Sequence, residues 1–205
     1  MFTSEGCNSC PPADAWLNDF IDHPDLFKRL IPVAFHVDYW NWLGWQDPFS
    51  DKTFSDRQYA YVKSKHLSQA YTPGFLINNQ EWREWFSGQR QWTYSLLNPG
   101  ILTATIRDDQ VNLSFQSSKQ LIGHFVVLGM GLTSQVKGGE NRGRQFTHHF
   151  VVLDWQQKTG QSTWQFKRPD LESLPDAERF AIAAWLEDEQ TNSIIQAVGG
   201  YLPTP

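Results

Sequence analysis

Residues 2–14 read Phe2-Thr3-Ser4-Glu5-Gly6-Cys7-Asn8-Ser9-Cys10-Pro11-Pro12-Ala13-Asp14, and the reading of the fold starts there. Met1-Phe2-Thr3 reads as the tail of a β-strand. Ala13, Trp16, Leu17, Phe20 and Ile21 recur at spacings of three and four, which predicts one buried stripe on a helix over Asp14–Ile21. Pro11 and Pro12 suit the first turn of that helix. Cys7 and Cys10 therefore stand between a strand and a helix. Free backbone N–H groups and the helix dipole at such a point favour a thiolate. A second cysteine three residues on can resolve a mixed disulfide, so Cys7 is read as the attacking thiol and Cys10 as the resolving one. A regular helix that begins only at Pro11 would leave Cys7 almost a turn outside it, with weaker help from the dipole. The same four residues also suit a structural pair or two ligands of a metal.

The rest of the 205-residue chain narrows the options. Hydrophobic residues make up 40% of it, with 10 Trp, 6 Tyr and 14 Phe, enough apolar volume for a packed core and too much for a disordered tail. Seventeen Lys and Arg against 22 Asp and Glu give a net charge of −5. The basic clusters are only pairs, Arg142/Arg144 and Lys167/Arg168, so nucleic acid is not expected as a partner. Apolar runs such as Phe125–Leu128 and Phe150–Leu153 fall far short of the ~20 residues of a membrane span. Only six residues precede Cys7, so either the protein is cytosolic or a leader has been removed, and the truncated look of the first strand favours removal. Two cysteines three apart are too close to form a disulfide framework, and composition alone leaves the compartment open.

Outward from the cysteines, strand-like and helix-like segments alternate. Ile31–Val37 is a compact apolar run of the buried-strand kind. Ser55–Leu67 is helical in pattern with Tyr59, Val62 and His66 on one face; Phe75–Ile77 is a short strand, and Glu81–Phe86 a possible helical turn. Beyond Asn98-Pro99-Gly100 the pattern changes to period two: Leu102, Ala104 and Ile106 share a face, Asp108-Asp109 turns, and Val111, Leu113 and Phe115 return. Ile122–Leu128, His148–Trp155, Ser162–Phe166, Phe180–Leu186 and Ile194–Tyr201 are further strand candidates, although Ala181, Ala183 and Ala184 favour helix intrinsically. The expectation is an α/β domain over residues 1–97, with an aromatic insertion at 38–53, followed by a mostly antiparallel β-sandwich over 98–205.

Three further stretches carry possible chemistry. In Tyr71-Thr72-Pro73-Gly74-Phe75 a proline precedes a strand; a cis X–Pro bond there would turn backbone groups outward toward a partner chain, though trans is the commoner form. His148 and His149 alternate across a strand and cannot both face one metal. Gly139-Glu140-Asn141-Arg142-Gly143 reads as a turn with solvated charges, or else as packing beside the site of the first half.

Taken together, these residues resemble the thioredoxin fold, and more closely an uncharacterised bacterial family of thioredoxin-like, mostly exported proteins with a β-rich C-terminal part. The resemblance rests on residues 2–14, His36-Val37-Asp38-Tyr39-Trp40, Leu43-Gly44-Trp45-Gln46-Asp47-Pro48-Phe49, Gly139–Gly143 and Gln196-Ala197-Val198-Gly199-Gly200. It implies an α/β thioredoxin-like domain with a cis Thr72-Pro73 bond facing the cysteines, and a periplasmic or secreted location. It also implies that His36 and Asp38 lie near the thiols, where either could move a proton, and that the loop with Trp40, Trp42, Trp45 and Phe49 could wall the cysteines. The expected function is thiol–disulfide exchange at Cys7 and Cys10 on a protein or small thiol, with Thr72, Pro73 and Trp40 holding the partner and no cofactor. The alternatives are a Cu(I)-binding module using Cys7, Cys10 and His36, and an interaction scaffold in which the cysteines are incidental. Oligomeric state is not encoded in any of these signals.

Overall fold

The computed structural model describes residues 1–94 and 98–203. Its centre is a four-stranded antiparallel sheet of β7 (Leu121–Met130), β10 (Val151–Gly160), β12 (Arg179–Asp188) and β13 (Ile194–Tyr201), in the order β10-β7-β12-β13. Both faces of this sheet are covered, which explains why β7 is a nearly unbroken apolar run rather than an alternating one. On one face Phe125, Val127, Ile182, Ala184 and Leu186 meet Val111, Leu113, Trp164 and Phe166. Those partners come from a second sheet, β11-β6-β5, built from β5 (Thr103–Arg107), β6 (Gln110–Ser114) and β11 (Thr163–Lys167). On the other face Val126, Leu128, Met130, Ala181, Ala183 and Trp185 pack against Phe2, Phe35, Phe54 and Tyr61 of the first half. Gly123 is needed where Trp164 crosses β7, because a Cβ there would lie 2.6 Å from Trp164 Cδ1.

The first half attaches to the edge of this sheet. β1 (Phe2–Thr3) pairs in parallel with β2 (Phe35–His36). Ala34 bridges Val151 of β10, its N–H donating to Phe150 O at 2.8 Å and its carbonyl accepting from Val152 N at 2.9 Å. β3 (Leu76–Ile77) and β4 (Gln80–Glu81) form a hairpin around Asn78-Asn79, both at positive φ as such a tight turn requires. The helices are α1 (Pro11–Asn18) and α2 (Lys52–Lys63), the latter capped by the Asp51 side chain on Thr53 N. β8 (Leu132–Gln135) and β9 (Gln145–His148) make a hairpin that reaches back to the N-terminal residues.

This architecture corrects the expected fold class. The protein is mostly β, with several small sheets and, among the described residues, two short α-helices, rather than an α/β thioredoxin-like domain followed by a β-sandwich. The strands of the first half are two residues long and pair as β1–β2 and β3–β4, with single bridges from Phe2 to Gly74 and from Ala34 to Val151. Pro32 lacks an N–H and Ala34 turns to β10, so the apolar run Ile31–Val37 gives only Phe35–His36 to the β1–β2 sheet. The central sheet does pack on β11-β6-β5 of the second half, and its second face is covered by the first half. The boundary drawn after Leu97 falls at residues 95–97, outside the described residues.

Individual elements shift for readable reasons. Helix α1 begins at Pro11 and gives way to a 3-10 turn at Asp19–Asp22. Helix α2 buries Phe54, Arg57, Gln58 and Tyr61 rather than a Tyr59–Val62–His66 face, because its inward stripe includes an arginine and a glutamine that a search for apolar spacing passes over. The alanine-rich segment is a full strand, β12: between β7 and β13 its small side chains allow close packing on both faces, and tertiary context outweighs helix propensity.

One ionic cluster is buried between α2 and the central sheet. Arg57 Nη2 donates to Glu187 Oε1 at 2.8 Å, and its guanidinium lies 4.8–5.4 Å from the ring centres of Phe35, Tyr61, Trp155 and Trp185. His124 is stacked between Trp155 and Trp185, and its Nδ1 accepts from Trp155 Nε1 at 3.1 Å. Burial lowers its pKa from 6.5 to about 4, so it folds as the neutral imidazole. The unfolded chain binds this proton near pH 6.5 and the native state only near 4, so stability from this group is lost as pH falls through that window. From pH 7.5 to 5 the loss is about 2 kcal/mol. Urea unfolding should therefore show wild type losing about that much more than His124→Phe over this interval; equal losses would remove His124 as the source.

Candidate redox site

Cys7 and Cys10 form a disulfide with a Cα–Cα distance of 5.4 Å, inside the usual span for such a bond. Local backbone geometry brings them there. Cys7 N donates to Ser4 O and Cys10 N to Cys7 O, a pair of tight turns leading into α1. Cys10 is the N-cap of that helix, its carbonyl accepting from Ala13 N and Asp14 N, so Cys7 does lie outside the helix proper. Both cysteines are buried, at 2% and 0% exposure, while Asn8 and Ser9 between them are open to solvent.

The Thr72-Pro73 peptide bond is cis. Thr72 O lies 3.7 Å from Cys7 Sγ and accepts from Ser9 Oγ at 3.3 Å. Trp40 Nε1 donates to Thr72 Oγ1 at 2.8 Å, so Trp40, Thr72, Pro73 and the cysteines are gathered at one place. Gly74 secures the segment through reciprocal backbone bonds with Phe2 of β1. Trp42 is 78% exposed.

Residues that flank the cysteines in the chain, Thr3, Glu5 and Asp14, enter polar contacts with residues that no spacing in the sequence announces. His36 Nδ1 is 2.8 Å from Asp47 Oδ2, and His148 Nε2 is 3.0 Å from Glu5 Oε1. Glu5 also accepts from Trp45 Nε1 at 2.8 Å and from Ser134 Oγ, and Glu5 N donates to Asp47 Oδ2 at 2.8 Å. Asp14, four residues after Cys10 on α1, accepts from Thr3 Oγ1 at 2.7 Å. Burial pushes the Asp14 carboxyl above the ordinary carboxylate range. Burial alone would lower His36, but the Asp47 carboxylate beside it wins and holds the imidazole above its ordinary value; His36 in turn holds Asp47 low against its own burial. The second nitrogen of His36 is buried without a partner.

Asp38 does not join this cluster. Its carboxylate takes the Ser55 hydroxyl at the start of α2, and Asp47, from the aromatic insertion, stands beside His36 instead. His148 faces Glu5, whereas His149 Nδ1 accepts from Gly131 N; the two histidines diverge, but because His148 ends β9 and His149 lies in the bend before β10 rather than by alternation within one strand. Among the described residues no group of three or more His, Cys, Asp or Glu is arranged to hold a metal ion. A cavity of about 400 Å³, lined by Trp16, Phe20, Arg57, Tyr61, Trp82 and Trp185 among others, does not include the cysteines in its wall.

The stretch Gly139–Gly143 packs at this site. Asn141 is buried and its Nδ2 donates to Glu5 O at 2.8 Å and Cys7 O at 3.0 Å, while Asn8 N donates to Glu140 Oε2 at 3.2 Å. The solvated-turn reading was therefore incomplete: the motif is a turn whose second and third residues close over the cysteine loop.

Residues 1–186 match the family described as protein of unknown function DUF1223. The chain belongs to the DUF1223 family. No curated protein matches it. A crystal structure of a protein from Agrobacterium tumefaciens is similar to this DUF1223 chain at 22% identity with a TM-score of 0.63, over 97% of this chain and 90% of that one. The likeness extends the β-rich fold to a second protein.

Proposed function

We propose that this protein is a thiol–disulfide oxidoreductase that works through Cys7 and Cys10. The observation that carries the reading is the disulfide itself, joined by the exposed Asn8-Ser9 link, with Cys7 Sγ 3.7 Å from the Thr72 carbonyl oxygen. In the reduced protein, the Cys7 thiolate attacks a partner disulfide, forms a mixed disulfide and expels the partner's first thiolate. The Cys10 thiol then gives up its proton and attacks Cys7 sulfur, expelling the second partner thiolate and closing Cys7–Cys10. Two electrons pass to the partner, whose two sulfurs leave as thiols. The reverse sequence oxidises a dithiol partner.

Thr72 and Pro73 hold the partner chain extended beside Cys7, and Trp40, anchored on Thr72, flanks it. Proton movement at the resolving thiol falls to His36, oriented by Asp47, with Asp14 on the same helix as Cys10. No membrane-spanning helix is present among the described residues; a periplasmic or secreted setting belongs to the same proposal, because redox pairs of this kind meet disulfide partners there. The partner is a protein or small-molecule thiol rather than nucleic acid, consistent with the net charge of −5. The test is Cys10→Ser in lysate of the native host: covalent, dithiothreitol-sensitive adducts through Cys7 are expected. If none form while a known oxidoreductase handled identically gives them, the reading fails.

A further inference from the structure

Asn141, in the loop of the β8–β9 hairpin, lies 134 residues beyond Cys7 in sequence, yet that loop holds the cysteine turn. Gly138 sits so close to the aromatic insertion that a Cβ on it would be 2.1 Å from Gly44 O, and Arg142 N donates to Gly139 O at 3.3 Å to close the turn. That close approach fixes where Asn141 enters. Its carboxamide is 1% exposed, spends both N–H bonds on Glu5 O and Cys7 O, and leaves Oδ1 buried without a partner. A buried acceptor left without a partner weakens the fold rather than strengthening it, so the carboxamide is not there for stability alone.

We propose that Asn141 is a positioning residue for the Cys7–Cys10 exchange, which rests on the redox reading above. Two carbonyls on either side of Gly6 are pinned by one rigid side chain. The backbone at Cys7 is thereby kept in the disulfide-ready turn after the bond opens, and the Cys10 thiol stays at high effective concentration beside Cys7. Asn141 touches neither sulfur through a polar bond and has no part in bond making. Its effect is on the ring-closing equilibrium and on how long a mixed disulfide at Cys7 survives.

The experiment compares full-length wild type, Asn141→Ala and the isosteric Asn141→Asp, which cannot donate, in a glutathione redox series read by alkylation. Each variant is expected to form the intramolecular disulfide roughly tenfold less favourably, a shift of about 30 mV toward the dithiol, with a longer-lived glutathione adduct on Cys7. Folded variants whose equilibrium and adduct lifetime match wild type would overturn the inference while leaving the oxidoreductase reading intact. A wild-type disulfide that glutathione cannot open would overturn that reading and this inference with it. Should both variants fail to fold, the Asn141 side-chain amide resonances of wild type decide: they are expected to shift on reduction while staying protected from exchange, and loss of protection on reduction overturns the inference.

Discussion

Replacing Cys10 by serine is expected to abolish turnover as a disulfide reductant while preserving attack by Cys7. Without the second thiol the mixed disulfide has no intramolecular route to resolution and must wait for an external thiol. Ring closure of a well-placed pair gains so much from proximity that multiple turnover should fall by roughly a hundredfold or more. Cys7→Ser should fall as far but capture nothing, because Cys10 is held as the N-cap of α1, whereas it is Cys7 that stands in the turn outside the helix beside Thr72 O. The asymmetry between the two variants is the diagnostic feature. Equal capture by both would mean that the two thiols are interchangeable, contrary to their placement.

Replacing Arg57 by methionine is expected to cost on the order of 3–5 kcal/mol in unfolding free energy, against a total of about 5–15 for a typical domain. The guanidinium is the cation for Glu187, whose carboxylate is held well below the ordinary range, against its own burial, by His124 Nε2 at 3.3 Å, by Arg57 and by the hydrogen bond from Trp185 Nε1 at 2.8 Å. Removing it leaves a charge between α2 and the central sheet with no counter-ion. Removing both charges, as Arg57→Met with Glu187→Leu, should be milder than the single change, because no unpaired ion remains. Denaturant titration of the four proteins measures this. A double variant as unstable as the sum of the singles would show that the cost lies in packing of the arginine stem among the aromatic rings, not in the stranded carboxylate.

The cysteine pair and its setting are legible because they are local: strand end, Cys-x-x-Cys and helix start lie within thirteen residues, and period-three-and-four spacing marks α1. In the second half alternation marks β5 and β6, whereas β7 is legible as an apolar run and β8 carries no signal of either kind. What escapes is whatever depends on distant partners. Glu5 meets Asp47 across 42 residues, Asn141 across 136 and His148 across 143, and no periodicity links them. Asp47 stands in the aromatic insertion, where the tryptophans draw attention and a single carboxylate does not. The fold class fails for a related reason. Alternating textures in the first half suggest a sheet of its own, but Pro32 and the bridge from Ala34 to Val151 keep its strands short and tie them to β10. The only hint of this in the sequence is the proline.

The central claim is that Cys7 and Cys10 cycle between dithiol and disulfide in exchange with a partner. Equilibrating the wild-type protein across a glutathione redox series, with alkylation and mass spectrometry as the readout, tests it most directly. A reversible two-electron transition within reach of glutathione, above about −300 mV, is predicted. A disulfide that stays closed down to that potential would mean a structural bridge and would contradict the account.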